Sequence, residues 1–496
     1  MAEKNNKTRV YTADLLLTDV IVKLEDYPEL QKLVEEYQHH GQLTKDKNKL
    51  AIKDKKKFDR FLSLVDLDKA QIIPGGSSAN TITTLSKMLP DDIDATFMGV
   101  VPEGKKPNDR DSKIRDSLAE ANVKLLAQSN GHVPESGISI VMVPKDGQRL
   151  IVSWPGNMQQ ILKAPMIKDE MIENSDVVLV QGSLWQKLDE TLLVPHGVQT
   201  DKEKLGFADH LLDLRWKKGK DLWLAMPTQA DFSSEVRSHE EKAIHFQELI
   251  KSANVILGND DEISRVFTTK FERDRVLKII SERGITDDDL NRTKENPDPI
   301  ATLIEAHKLT VDEVKQFNFL NKSVIAETAF ARLQHTLDTQ NAMEIAKLHG
   351  KWKGNTQQVA FISRGADKDA MIFTAHEPPV PVTPLPDPPG IKINTLGAGD
   401  TSFAGFLAAY EKLARQEDGH CRKLSEDDLK TCGNMAMRLA NENLKHDAAR
   451  VPNPREAIRQ SDPVLYERVL VGLKRAWSKV IGNEPESTWA KGATGG

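Results

Sequence analysis

Short apolar runs alternate with longer amphipathic stretches along most of the chain. Residues 15–22 are apolar apart from Thr18 and Asp19, and read as a buried strand inside a wider apolar segment at 10–24. Residues 138–143 and 148–154 flank Pro144-Lys145-Asp146-Gly147, which predicts a hairpin around an Asp-Gly turn. Runs at 177–180 and 222–225 read as further buried strands, and 253–257 as a strand that ends at Gly258. Residues 359–363 and 370–373 form another strand pair around a glycine turn. Phe403, Phe406, Leu407 and Tyr410 recur at helical spacing, and 429–444 and 463–479 also read as helices. This alternation predicts an α/β fold with a doubly wound, mostly parallel sheet flanked by helices.

Three other regions are polar or proline-rich. Residues 29–57 are charged and helix-prone, and the run Lys53, Lys55, Lys56, Lys57 reads as a solvated face. Residues 267–345 are charged and helix-rich, broken at 296–299, and are expected to form a helical insertion. Residues 378–389 are proline-dense and read as an extended connector, while the tail at 482–496 is expected to be disordered.

Composition narrows the function. A chain of 496 residues, 39% hydrophobic, can bury a large core. With a formal net charge of -6 and 5% aromatic residues, neither a basic phosphate-binding face nor a base-stacking platform is indicated. Two cysteines, Cys421 and Cys432, make no disulfide framework and fit a reducing compartment. No secretory signal and no apolar run of membrane-spanning length is visible, so a cytoplasmic protein is expected.

Four stretches carry candidate chemistry. Gly397-Ala398-Gly399-Asp400 precedes the helix of Phe403 and Tyr410. Its small residues let backbone N–H groups approach an anion at a helix N-terminus, although an N-cap aspartate after a glycine turn fits as well. Pro74-Gly75-Gly76 leads to Asn80, close to the start of a helix at 81–88, and is either a ligand-touching backbone or an ordinary turn. Asn259 and Glu262 share one face of a helix start at a strand end, as a capping box or as ligand groups. Asp19 lies within an apolar strand, where an unpaired carboxylate costs several kcal/mol, so it must face a partner, a ligand or solvent.

Taken in order, these stretches resemble the ribokinase-like (PfkB) carbohydrate and nucleoside kinases over about residues 10–455. Asn394-Thr395-Leu396-Gly397-Ala398-Gly399-Asp400 is similar to the family's C-terminal signature, Gly75-Gly76-x-x-x-Asn80 to its N-terminal substrate signature, and Asn259-x-x-Glu262 to its magnesium- and phosphate-organising motif. Asn394 in place of the usual aspartate, and the segment at 153–160, are similar to the inosine-guanosine kinase branch. The resemblance implies a kinase domain at 8–480, with 15–60 and 133–156 contributing a small β-lid. It also implies ATP-dependent phosphorylation of a nucleoside's ribose 5′-hydroxyl. Asp400 would be the base, and Thr395, Gly397, Ala398 and Gly399 the anion hole. Asp19, Gly75, Gly76 and Asn80 would hold the sugar, Asn259 and Glu262 would order Mg²⁺ and phosphate, and Ser363 and Gly365 would lie at the ATP site. No direct protein ligand for the metal is expected, and Asn394 weakens the case for a monovalent cation.

The loop at 101–109 lacks the family's regular Gly-x-Asp-x-x-Gly, and compact members have no counterpart of the 267–345 insertion. The rival readings are a kinase of a free sugar such as ribose or a ketose, and an inactive nucleoside-binding relative. A sugar-phosphate kinase should show extra Arg or Lys near the Asp19 and Asn80 elements, and none stands out in the sequence. The expected partners are small molecules, with no nucleic acid and no membrane; a homodimer is left open.

Overall fold

The structure is a computed structural model. It describes residues 7–13, 17–39, 49–52, 54–99, 110–127, 137–145, 149–154, 174–181, 221–225, 253–267, 329–338, 357–365, 368–386, 397–416, 421–446 and 450–471, together with Ile250 and Glu282. Asn394, Thr395, the 101–109 loop, residues 155–160, the end of the expected 463–479 helix from 472 onward and the tail at 482–496 lie outside these residues, as does most of the 267–345 insertion; of that insertion, 329–338 is helical.

The larger sheet contains β1 (Thr8–Ala13), β5 (Ile93–Gly99), β6 (Val123–Ala127), β9 (Val177–Gln181), β10 (Asp221–Ala225), β11 (Val255–Asn259), β12 (Val359–Ser363), β13 (Ala370–Thr374) and β14 (Glu377–Val382). Their order is β14-β13-β12-β11-β10-β9-β1-β5-β6. The pairs from β6 through to β12 are parallel, and the pairs β12–β13 and β13–β14 are antiparallel, so β13 alone runs against the others. Continuous apolar runs such as Val177 to Val180 suit strands covered on both faces. This is the α/β class that the alternation predicts.

A second sheet, ordered β3-β8-β7-β2-β4, is built from β2 (Leu17–Lys23), β3 (Lys49–Ala51), β4 (Gln71–Gly75), β7 (Gly137–Val143) and β8 (Leu150–Trp154). β7 and β8 are the expected hairpin, antiparallel with Ile138 opposite Trp154. One face of this sheet, with Val20, Val22, Ile140 and Val152, is buried under α1 (Pro28–His39) and α2 (Lys55–Leu62). Strand period two turns Asp19 and Ile21 to the opposite face. The segment read as wholly helix-prone at 29–57 thus hides a three-residue strand, β3, and Lys55 to Lys57 open α2 behind the N-cap of Asp54.

Two further readings change. The helix of Asn80, α3 (Ser77–Met88), starts four residues earlier than expected, with Gly76 at its N-cap and φ of 103°. The stretch at 378–389 is not wholly a connector: through Val382 it forms β14, paired with β13. Proline cannot donate to a ladder and is tolerated on an edge, and Pro378, Pro379 and Pro381 lie on the outermost strand. The remaining helices are α4 (Arg110–Glu120), α5 (Asp260–Phe267), α6 (residues 329–338), α7 (Ala398–Ala414), α8 (Glu426–Leu444), α9 (Pro454–Ser461) and α10 (Pro463–Tyr466), followed by a π turn at Glu467–Val471.

α7 runs against the direction of the parallel strands. At its far end Thr8, the first residue of β1, donates to Glu411 at 2.5 Å. Asp400, eleven residues earlier, is about 16 Å up the helix, close to the length of a six-residue strand. Its helical turn therefore reaches the carboxyl edge of β1. α3 runs the same way, since Asp92, just past its end, accepts from the Thr8 N–H at 2.8 Å and from Lys412 Nζ at 2.9 Å. Both helix N-termini meet at the sheet edge where open α/β proteins bind ligands.

Candidate active site

Asp400 sits in the first turn of α7 behind Gly397, whose φ of 71° and ψ of 3° place it in the left-handed region that glycine tolerates best. The first N–H groups of a helix have no partner inside it, and its dipole adds positive potential there. A Cβ built on Gly399 meets nothing within 4 Å, so there is open space beside this first turn. An arrangement of this kind fits a phosphoryl group. The carboxylate is held from the neighbouring helix: Asn80 Nδ2 donates to Asp400 Oδ2 at 2.9 Å, and Thr81 Oγ1 to the Asp400 carbonyl at 3.3 Å.

Asp19 approaches from the small sheet. It is 7% exposed, opposite Ser139 in the β2–β7 register and diagonal to Gly75 on β4. A Cβ on Gly75 would lie 2.3 Å from Asp19 Oδ1, so the carboxylate packs on bare backbone and Gly75 is required there. Burial pushes Asp19 up to about 6; Arg450, the Ser139 hydroxyl and Arg149 pull against that, and Asp400 adds to it. The structure therefore brings Asp19, Gly75, Asn80 and Asp400 together, with Gly76 capping the helix that carries Asn80.

Asn259 and Glu262 form the reciprocal capping box in full: the Asn259 N–H donates to Glu262 Oε2 at 2.8 Å and the Glu262 N–H to Asn259 Oδ1 at 2.9 Å. Asn259 ends β11 and is in register with Ser363, the end of β12. Asn259, Glu262 and Ser363 thus share one strand edge, with Gly365 just beyond at φ of 82°.

The sequence reading missed two cations. Arg450, partly buried, donates from Nε to Asn80 Oδ1 at 2.7 Å and from Nη1 to Ser117 Oγ at 3.2 Å. Burial pulls its guanidinium down to about 10, opposed by Asp19 and Asp400. Arg149 immediately precedes the second hairpin strand; burial lowers it, Asp400 and Asp19 raise it, and its Nη1 is buried with no hydrogen-bond partner. The expectation of no extra Arg near Asp19 and Asn80 is therefore wrong. Arg149 follows a recognised turn and could have been suspected, whereas an isolated Arg450 carries no local signal.

A parallel sheet with helix N-termini at its carboxyl edge, faced by a small β-sheet that carries an inward aspartate, is the architecture of the ribokinase-like α/β fold. Residues 48–287, a little under half of the chain, match the family model described as pfkB family carbohydrate kinase. That region takes in Gly75, Asn80, Asn259 and Glu262 and ends before Asp400. Solved structures share the fold at low identity. A probable sugar kinase from Rhizobium etli CFN 42 is 14% identical with a TM-score of 0.55, covering 92% of this chain and 99% of its own. Adenosine kinase from Sinorhizobium meliloti gives the same values. Adenosine kinase from Schistosoma mansoni in complex with 2-fluoroadenosine is 16% identical with a TM-score of 0.53, covering 90% and 98%. No curated protein matches the chain by sequence. The matched domain and the shared fold support a phosphotransferase of the PfkB carbohydrate-kinase type.

Proposed function

We propose that the protein transfers the γ-phosphoryl group of ATP to the ribose 5′-hydroxyl of a nucleoside, with Asp400 as the base. The observation that carries this is the Asp400 carboxylate, held by Asn80 at a helix N-terminus with open space beside Gly399. Asp19 would hold sugar hydroxyls, with Gly75 and Gly76 giving backbone room beside it. Asp400 would take the hydroxyl proton late, because the phosphoryl transition state is loose and positioning dominates. The free amides of Gly397, Ala398 and Gly399 would receive the transferring group, together with Thr395. Ser363 and Gly365 would flank ATP, and the small sheet would act as a lid that excludes water. The donor chemistry here, two carboxylates among amides and hydroxyls, fits Mg²⁺ carried on ATP phosphates, with Asn259 and Glu262 ordering its water shell; bound there, Mg²⁺ neutralises phosphate charge.

A second reading rests on Arg149. A buried guanidinium Nη1 with no hydrogen-bond partner, close to Asp19 and Asp400, fits an acceptor that itself carries an anion, such as a sugar phosphate. One screen separates the two: purine nucleosides, free sugars and sugar monophosphates, each with ATP and Mg²⁺, read as ADP release. Transfer to a nucleoside that Asp400→Ala lowers ~10²–10⁴-fold, with acceptor affinity kept, is the expected result. Turnover only with phosphorylated sugars favours the second reading, and near-wild-type turnover in Asp400→Ala removes the base assignment.

A further inference from the structure

Arg450 has no part in the reaction just outlined, yet four elements of the site converge on it. It bonds Asn80 on α3 and Ser117 on α4, and it acts electrostatically on Asp19 of β2 and Asp400 of α7. A guanidinium has donors only, so its 2.7 Å contact with Asn80 must be to the amide oxygen. That choice fixes the amide. Its NH₂ group then faces Asp400, where it donates at 2.9 Å. An amide turned the other way would set two donors against each other at Arg450 and two acceptors against each other at Asp400.

We propose that Arg450 is a positioning residue for the phosphoryl transfer, fixing the Asn80 amide in the one orientation that donates to Asp400. The inference rests on the kinase reading above. A second effect follows from charge. Asp19 faces the Ser139 hydroxyl on β7, Arg149 on the hairpin, Asp400 on α7, the Gly75 backbone on β4, and Arg450, which is the largest influence opposing its burial. Without that cation Asp19 holds its proton to higher pH. A bare structural brace would do neither of these things to catalysis.

The test is steady-state kinetics of the full chain across pH, with the acceptor found in the screen. In Arg450→Gln we expect kcat to fall ~10–100-fold, the scale of a misplaced catalytic geometry, with the KM for ATP nearly unchanged. The acid limb of acceptor kcat/KM should move to higher pH. Arg450→Lys should restore that limb, since it keeps the charge, but only part of kcat, since it lacks the fixed fork. Combined with Asn80→Ala, Arg450→Gln should cost little more than Asn80→Ala alone. Wild-type kcat and an unmoved acid limb in Arg450→Gln, or costs that simply add in the double variant, would overturn the proposal. If Arg450→Gln does not fold, Asn80→Asp decides. It still accepts from Arg450 but has no donor for Asp400, so its turnover should fall while thermal stability is kept, and full turnover counts against the relay. A wild-type protein inactive on every acceptor sinks the kinase reading and this inference with it, whereas an active wild type with unaffected Arg450 variants sinks the inference alone.

Discussion

Asp19 sets two pH demands that oppose each other. Its folded-state value of about 6 lies above the ordinary 3.8, so between these values the folded chain holds a proton that the unfolded chain has released. Stability therefore falls as pH rises through that window, by at most about 1.4 kcal/mol per pH unit. Asp19→Asn should flatten that slope, measured as urea midpoints from pH 4 to 7; an unchanged slope would assign it to other groups. In its proposed role on the sugar hydroxyls Asp19 would act ionised, so acceptor kcat/KM in the wild type should drop as pH falls through about 6. Gly399 separates folding from function in a different way. A methyl there meets nothing within 4 Å, and alanine is favoured over glycine in a helix by up to about 1 kcal/mol. Gly399→Ala should keep or raise the melting temperature while phosphoryl transfer drops, because the methyl intrudes where the phosphoryl group would sit. Wild-type turnover in that variant would move the anion hole elsewhere. Asp19 and the glycines before Asp400 were readable because each violates a local rule, as a charge in an apolar strand or glycines where a helix begins. Arg450 and Arg149 violate none. Their role comes from contacts with residues such as Asn80, 370 positions away, which no local pattern encodes.

Helix packing depends on close approach at a few points. A Cβ on Gly405 of α7 would lie 2.9 Å from the Met435 carbonyl oxygen of α8, a backbone atom that cannot swing aside. Gly405→Ala should destabilise the fold by about 1–3 kcal/mol, read as a lower denaturant midpoint with unchanged slope, and a neutral effect would mean that the helices separate easily. β9 to β12 and α7 were legible because their apolar positions form clear runs or one helical period, whereas β5 and β6, with Asp94 and Lys124 among their apolar residues, were not read as strands. β3 was not, being three residues long, and β14 was obscured because proline density outweighs the alternation that buries Val380 and Val382. Its strand character comes from β13 beside it, a tertiary cause.

Among the described residues the two large apolar clusters are separate, one under the large sheet and one between the small sheet and α1 and α2. Units with their own cores open independently. A ligand that touches Asp19 and Asp400 together ties one unit to the other. Acceptor plus a non-hydrolysable ATP analogue should therefore slow hydrogen exchange in β2 and β7 and leave β1 and β5 nearly unchanged; equal protection of all four would argue against independent units. The paired helices α3 and α7 carry one more consequence. They are fastened at both ends, Asn80 to Asp400 and, twelve positions further along each chain segment, Asp92 to Lys412. A single residue inserted into α7 between those fasteners would rotate one contact by about 100° relative to the other. The two bonds work as a phase gauge on the helix: the segment from 400 to 412 can accept many substitutions but no change of length, so any working variant of this chain keeps that count.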